Sequence, residues 1–470
     1  MKHQYLNKTG NRSLLLFFAG WGMDANPFMQ LKTDYADVLI AYDYSDCNFN
    51  NLEIPQTYRN TFLFAWSFGV FAAERWMEES QFKPTFSIAI NGTLHPVDDT
   101  LGIPENIFNA TLQQLSEQSL LKFYRRICSS SEQYDELLSH RPMRTIQSLR
   151  SELEAIRDEY LRKKTTPAHS QWSKAYVADY DRIFPPKAQI RQWENATTIV
   201  HIPDSHLPKR LVDIVLSNLI DKQLIKTKFE KCQLNYDNHA KCQHQAAQRL
   251  LDKWKEIDKS TGMSVYEIGC GSGIFTKLYA PIFHPKTICL NDIIEIRKNF
   301  FSGIDCPLSY FCADAEYEYP RNVFERIVSS SAIQWFENTS AWLNNIRDTL
   351  ADEGLIVLST FGKDNLAEMR LVTPFSLNYL SVQDWQNALA NSGFLPLILE
   401  EEKIQHQFDS PIDLINSLRH TGVNGIITGS PESPKQLISK IQANIPRDEN
   451  GRFQLTYNPI YIIAKKLRQK

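Results

Sequence analysis

Two α/β domains in series are the fold this sequence predicts, on three observations. The chain has 470 residues, 43% of them apolar and 22% charged. That is an ordinary globular composition, but longer than one hydrophobic core usually organises. Short apolar runs alternate with helix-like spacing twice over, once in each half. Each half also contains one strand-to-helix turn made of small residues: Ala65-Trp66-Ser67-Phe68-Gly69, and Glu267-Ile268-Gly269-Cys270-Gly271-Ser272-Gly273.

In the first half, Leu14 to Ala19, Val38 to Tyr42, Thr61 to Ala65 and Thr85 to Ile90 are compact and rich in Leu, Phe, Ile and Val. Such runs are strands buried on both faces, and with helices between them they predict a parallel sheet. From about 104 to 165 the strand signal stops. Leu112, Leu115, Leu120, Leu121 and Phe123 recur there at helical spacing, which predicts an inserted helical lid. Strands return at Ala175 to Ala178 and Thr198 to Ile202, and a helix follows from Pro208 to Ile220. The Lys-rich stretch Asp221 to Lys231 marks the junction, so the domains are read as 1–221 and 222–470. The second half predicts a helix over Gln243 to Ile257, then strand Ser264 to Ile268 and a helix from Ile274. Strands Thr287 to Leu290, Arg326 to Ser329 and Leu355 to Thr360 follow, with a helix over Ala341 to Leu350. This too reads as a parallel sheet.

A net charge of −3 offers no electrostatic reason to expect nucleic acid or an anionic membrane as partner. The eight cysteines show no C-x-x-C spacing, so they read as reduced thiols of a cytoplasmic protein, with no metal site. Leu14 to Ala19 follows Lys2, Lys8 and Arg12. The run is short and lacks a cleavage site, so it reads as a strand rather than a signal peptide. No segment approaches the ~20 apolar residues that span a bilayer.

The turn at Ser67 has the spacing of a nucleophile elbow. A serine raised on a sharp strand-to-helix turn needs small residues two positions to either side, here Ala65 and Gly69. Attack on an ester also needs a base and donors for the developing oxyanion. In an α/β-hydrolase the acid and then the histidine follow the serine in the chain. Asp181 follows one late strand and His206 follows the next, so Ser67, His206 and Asp181 are the expected triad, with Asp179 and His201 the weaker choices. His95, near Asp98 and Asp99, precedes the inserted helices and is set aside. Gly20-Trp21-Gly22-Met23 follows the first predicted strand. The backbone N–H groups of Trp21 and Phe68 are the expected oxyanion donors.

Glu267-x-Gly269-x-Gly271-x-Gly273 resembles motif I of class I (Rossmann-like) S-adenosylmethionine-dependent methyltransferases more than a dinucleotide fingerprint. Asp292, after the next strand, is placed for ribose hydroxyls, and Asp314 and Ala315 for adenine. Ser330 ends the fourth strand beside the expected sulfonium. That strand does not end in the Pro-Pro sequence of amino-methylating nucleic-acid enzymes. A carboxylate acceptor needs no base, only desolvation and alignment.

Beyond motif I, Phe229-Glu230-Lys231-Cys232-Gln233-Leu234-Asn235-Tyr236, Ala332-Ile333-Gln334-Trp335, Thr360-Phe361-Gly362, Leu366-Ala367-Glu368-Met369-Arg370 and Leu418-Arg419-His420-Thr421-Gly422-Val423-Asn424 are similar to the malonyl-[acyl-carrier protein] O-methyltransferases of biotin synthesis. The first half resembles the pimeloyl-[acyl-carrier protein] methyl ester esterases, through Phe18-Ala19-Gly20-Trp21-Gly22, the Ser67 turn, Asn91-Gly92-Thr93 and Lys122-Phe123-Tyr124-Arg125-Arg126-Ile127-Cys128. The paired resemblance implies a bifunctional enzyme. One domain masks the malonyl carboxylate of acyl carrier protein as a methyl ester, using S-adenosylmethionine, and the other removes the mask at pimeloyl length. Burying a bare carboxylate in an apolar elongation channel is costly, which gives the mask a physical purpose. The resemblance further implies an acidic carrier protein docking on Lys122, Arg125 and Arg126, or else a merely solvated helix face. Tyr236 closes over the cofactor or packs its own helix, and Arg370 pairs with substrate or with a surface acid. A small-molecule carboxyl methyltransferase fused to a generic esterase or thioesterase remains the alternative.

Overall fold

The computed structural model describes residues 1–163, 172–372, 377–420 and 433–468. Residues 164–165 of the expected lid and 421–424 of the last quoted motif lie outside that set. The chain divides into two compact units, Met1–Leu216 and Ser217–Lys470.

The first unit opens with β1 (Lys2–Asn7), β2 (Ser13–Phe18), β3 (Asp37–Tyr42) and β4 (Asn60–Trp66), then α1 (Phe68–Ser80) and β5 (Phe86–Ile90). Helices α2 (Glu105–Gln113), α3 (Glu117–Ile127), α4 (Ser131–Ser139) and α5 (Ile146–Arg162) follow without a strand. The unit closes with β6 (Lys174–Ala178), α6 (Pro186–Trp193), β7 (Thr198–Ile202) and α7 (Leu211–Leu216). The sheet order is β1-β3-β2-β4-β5-β6-β7. Only the β1–β3 pairing is antiparallel among the strands described here. Every residue of β2 and β4 is buried, as continuous apolar runs under helices on both faces require. β1 was not expected: it lies at the sheet edge with mostly exposed side chains, so it carries no apolar run to read. The helix expected over 208–220 is the shorter α7.

The second unit begins with α8 (Lys222–Cys232), α9 (Tyr236–His239), α10 (Lys241–Ile257), β8 (Ser264–Ile268), α11 (Ile274–Phe283) and β9 (Thr287–Asp292). Next come β10 (Leu308–Cys312), β11 (Phe324–Ser330), α12 (Thr339–Ile346), β12 (Leu350–Phe361), α13 (Val382–Asn391) and β13 (Phe394–Glu401). The last are β14 (Ile404–Phe408), α14 (Pro411–His420), α15 (Pro434–Asn444), β15 (Phe453–Tyr457) and β16 (Pro459–Lys466). Asp221, which the sequence reading placed in the first domain, caps α8 by accepting the Leu224 N–H at 2.8 Å. The main sheet runs β10-β9-β8-β11-β12-β16-β13, the class I, Rossmann-like order that the glycine loop implied. It is not wholly parallel: β16 runs antiparallel to both β12 and β13. β14 and β15 form a separate antiparallel pair. The helix expected to reach Leu350 stops at Ile346, and Leu350 already begins β12.

Among the described residues, no helix is long and apolar enough to cross a membrane. Trp254 on α10 is fully buried and stacks on Phe283 of α11 at 4.2 Å between ring centroids. Trp254→Ala is expected to lower the stability of the second unit by about 3–5 kcal/mol. Urea unfolding followed by tryptophan fluorescence and circular dichroism measures it.

Candidate active sites

The first site begins at the end of β4. Ser67 has φ 60° and ψ −128° and caps the N-terminus of α1. A non-glycine residue holds such a backbone only where its surroundings over-determine it. A Cβ on Gly69 would lie 2.2 Å from the Phe18 carbonyl oxygen, and one on Gly92 2.3 Å from that of Ser67. Both glycines are therefore demanded by close backbone approach.

This turn lifts Ser67 Oγ to 2.9 Å from His206 Nε2, while His206 Nδ1 lies 2.9 Å from Asp181 Oδ2. All three side chains are buried. Asp181 also accepts from the Ile183 and Phe184 N–H groups and from Gln189 Nε2, so its position is fixed independently of the histidine. The His206 carbonyl accepts from Trp66 Nε1 at 2.7 Å and Asn91 Nδ2 at 2.8 Å. Asn91 Oδ1 accepts the Ala178 N–H of β6. Asn91 thus ties the histidine loop to the sheet, a role for which its place in a quoted motif gave no signal.

The weaker choices fall elsewhere. His201 and Asp179 meet each other at 3.1 Å on the surface. His95 Nδ1 lies 3.0 Å from the Tyr160 hydroxyl, which donates to Asp98. Gly20 presses on the elbow, where a Cβ would meet Ser67 Cβ at 2.9 Å. The next residue is Trp21, and among the described residues neither its N–H nor that of Phe68 has a hydrogen-bond partner.

The inserted helices reach three loops of this site. Phe108 of α2 packs on Phe68, and Phe123 of α3 on Trp21. The Ile127 carbonyl accepts from Ser205 Oγ and the Leu207 N–H, on either side of His206. Lys122, Arg125 and Arg126 are exposed on α3. Arg125 is committed to the Ser130 carbonyl and Ser131 Oγ at the α3–α4 turn, so Lys122 and Arg126 are the more available cations.

The second site is a cavity at the carboxyl ends of β8, β9 and β11, where α/β sheets bind ligands. Glu267, Gly269, Gly271, Asp292, Asp314, Ala315, Ser330 and Tyr236 all line it. Gly271, at φ 52°, has no atom of the described residues within 4 Å of a Cβ position and so opens onto the cavity. Gly273 is not among the lining residues. Its Cβ would meet the Phe301 ring at 2.9 Å, so it serves helix packing rather than the cavity wall. Asp292 is buried, with Oδ2 accepting the Gly271 N–H at 2.8 Å and Oδ1 the Ile294 N–H. Burial raises its pKa against these donors.

Glu267 Oε2 accepts from Thr276 Oγ1 and the Tyr279 hydroxyl, which pins α11 beneath the glycine loop. Two buried oxygens on the cavity wall, Gln243 Oε1 and Ser331 Oγ, have no hydrogen-bond partner among the described residues. Lys222, Ile225 and Phe229 of α8 face the cavity at helical intervals, a stripe that spacing alone could have revealed. Lys222 pairs with Glu316 at 2.8 Å and Asp314 at 3.2 Å. Burial opposes its charge, but these carboxylates outweigh it and raise its pKa. Arg370 is exposed and donates to the Lys363 carbonyl.

Comparison with known proteins agrees with both halves. The family described as pimeloyl-ACP methyl esterase BioG matches residues 1–212, and a methyltransferase-domain family matches residues 239–398. A malonyl-[acyl-carrier protein] O-methyltransferase of Bacteroides fragilis is 35% identical over 462 residues, covering 97% of this chain and 93% of that protein. Its counterpart in Acinetobacter baylyi is 34% identical over 251 residues, covering 53% of this chain and 98% of its own. The crystal structure of BioG from Haemophilus influenzae is 33% identical, with a TM-score of 0.41, and covers 44% of this chain and 94% of that one.

Burial also lifts the Glu267 carboxyl to about 7, only partly offset by Thr276 and Tyr279. Its folded pKa thus exceeds the unfolded value of 4.5, and the folded chain holds the proton more tightly between the two. Stability from this group is lost as pH rises from about 4.5 towards 7. Glu267→Gln is expected to flatten that loss. Melting curves of both chains from pH 5 to 8 measure it.

Proposed function

The chain belongs to the malonyl-[acyl-carrier protein] O-methyltransferase family, and from that premise we propose a bifunctional cytoplasmic enzyme of biotin synthesis. Residues 222–470 methylate the free carboxylate of malonyl-acyl-carrier protein. Residues 1–221, an α/β-hydrolase domain with a helical lid, cleave the methyl ester of pimeloyl-acyl-carrier protein. The observation that carries this reading is the buried Ser67–His206–Asp181 relay in a chain whose other unit has the open glycine loop and Asp292.

S-adenosylmethionine fits the second cavity. The space at Gly271 admits a ligand against the backbone, and the unpartnered Gln243 and Ser331 oxygens call for a polar one. Asp292 would hold the ribose hydroxyls, Asp314 and Ala315 the adenine edge, and Tyr236 would cover the cofactor from α9. Bound there, the cofactor supplies a methyl group on a positively charged sulfur. The malonyl carboxylate is already an anion at neutral pH, so no side chain has to take a proton from it. Ile225, Phe229, Trp335 and Phe336 on the cavity wall strip water from that carboxylate and so raise its reactivity.

In the first unit, His206 Nε2 takes the Ser67 proton as Oγ attacks the ester carbonyl. The Trp21 and Phe68 N–H groups receive the oxyanion. Asp181 steadies the imidazolium, which returns the proton to the departing methanol. Water, activated by His206, then adds to the acyl-serine, freeing the carboxylate and restoring Ser67.

Ser67→Ala is expected to lower pimeloyl methyl ester cleavage on the order of 10⁴-fold or more while methyl transfer continues. Mass spectrometry of the acyl-carrier product measures both. Assaying malonyl-carrier protein beside free malonate and malonyl-CoA separates this reading from a small-molecule methyltransferase fused to a generic esterase. Lys122→Glu with Arg126→Glu is expected to weaken carrier-protein binding about tenfold at low salt and less at high salt. Calorimetry at two ionic strengths measures that difference.

A further inference from the structure

The turn between β2 and the residues that follow it is held by an unusual number of buried contacts. Glu152 of α5 is wholly buried, and Arg144, just before that helix, nearly so. Glu152 Oε2 accepts the Gly22 N–H at 3.3 Å, and Oε1 accepts the Tyr44 N–H at 3.0 Å. Arg144 pairs with Glu152 through Nη1 at 2.5 Å and with Asp43 through Nη2 at 2.7 Å. One turn earlier on α5, the Leu149 carbonyl accepts Trp21 Nε1 at 2.9 Å. The Tyr124 hydroxyl donates to the Gly22 carbonyl at 3.4 Å, and the Tyr44 hydroxyl to that of Ala19 at 2.7 Å.

We propose that Glu152 and Arg144 are positioning residues for ester hydrolysis, a buried pair that fixes the Gly20–Met23 turn so that the Trp21 N–H faces the oxyanion on Ser67. The inference rests on the esterase reading above. A buried ion pair adds little stability over apolar side chains of the same size, so what this pair contributes is the geometry it sets. That geometry is specific: the carboxylate bonds the amide next to Trp21, the indole is tied separately, and among the described residues the Trp21 amide has no partner. Oxyanion donors act through fixed placement, and small displacements are costly. Glu152 touches neither substrate nor Ser67. It acts through the turn.

The test uses the full chain with Glu152→Gln, which keeps the size of the side chain and removes the charge shared by Arg144 and two amides. The kcat for pimeloyl methyl ester is expected to fall about tenfold to a hundredfold, with KM within about twofold of the parent. Inhibition by a trifluoromethyl ketone of the same acyl chain, whose Ser67 adduct bears a charged oxygen, weakens in step with kcat. Inhibition by the uncleavable amide, which has no such oxygen, stays constant. Parent-like kcat, or equal weakening of ketone and amide, overturns the inference. Where near-ultraviolet circular dichroism shows Glu152→Gln misfolded, Tyr124→Phe takes its place, removing one hydroxyl from the Gly22 carbonyl. A smaller joint fall in kcat and ketone affinity is expected there, and no change in either overturns the inference. An unmutated chain that forms no ketone adduct overturns the esterase reading as well, which keeps the two failures distinct.

Discussion

Ser67 stands at φ 60° and ψ −128° on a turn packed closely against the end of β2 and against the residues that follow β2 and β5. Hypothetical Cβ atoms on Gly69 and Gly92 would fall 2.2 and 2.3 Å from carbonyl oxygens, and one on Gly20 2.9 Å from Ser67 Cβ. Strain of this kind costs on the order of 1–3 kcal/mol and persists only in a rigid frame. Here the frame is the fully buried β2 and β4. The second unit uses the same device differently. Gly269 is crowded, since a Cβ there would fall 2.4 Å from Ala332 Cβ, whereas among the described residues nothing crowds Gly271. One glycine seats the loop and the other makes room.

Around these backbone contacts each site is held by polar groups that have few alternatives. Asp181 accepts from two amides and Gln189 before it meets His206. Glu267 is buried under the glycine loop and fastened to α11 by two hydroxyls. Low dielectric makes such bonds strong when satisfied and costly when broken. Reactive atoms are therefore placed by groups that do not themselves react.

Much of this was legible in the sequence. Ser67, Asp181 and His206 could be picked out because elbow spacing and chain order are local signals, and the cavity-lining acids follow strands at recognisable intervals. Buried parallel strands were plain for the same reason, since each is a continuous apolar run. β13 was less so, because a partly exposed strand has weak patterning. β16 is a buried apolar run, but its antiparallel direction leaves no trace in composition. Gly273 shows the limit of a motif: the loop pattern names it, but Phe301 rather than a cavity faces it. The Glu152–Gly22 bond spans 130 residues, and no spacing rule reaches that far. Likewise Asn91 gains its task only when β6 and the His206 loop come together.

Asn91 is followed by Gly92, the pairing in which a flexible chain most readily closes a succinimide and deamidates. Ring closure needs the Gly92 nitrogen to reach the Asn91 amide carbon. In the folded unit that amide is spent at both ends, its oxygen on Ala178 and its nitrogen on the Ser205 and His206 carbonyls. An aspartate created there would set an anion against carbonyls that need a donor. Chemical ageing at this position therefore has to wait for the unit to open, and each opening exposes the chain to a loss that refolding does not repair.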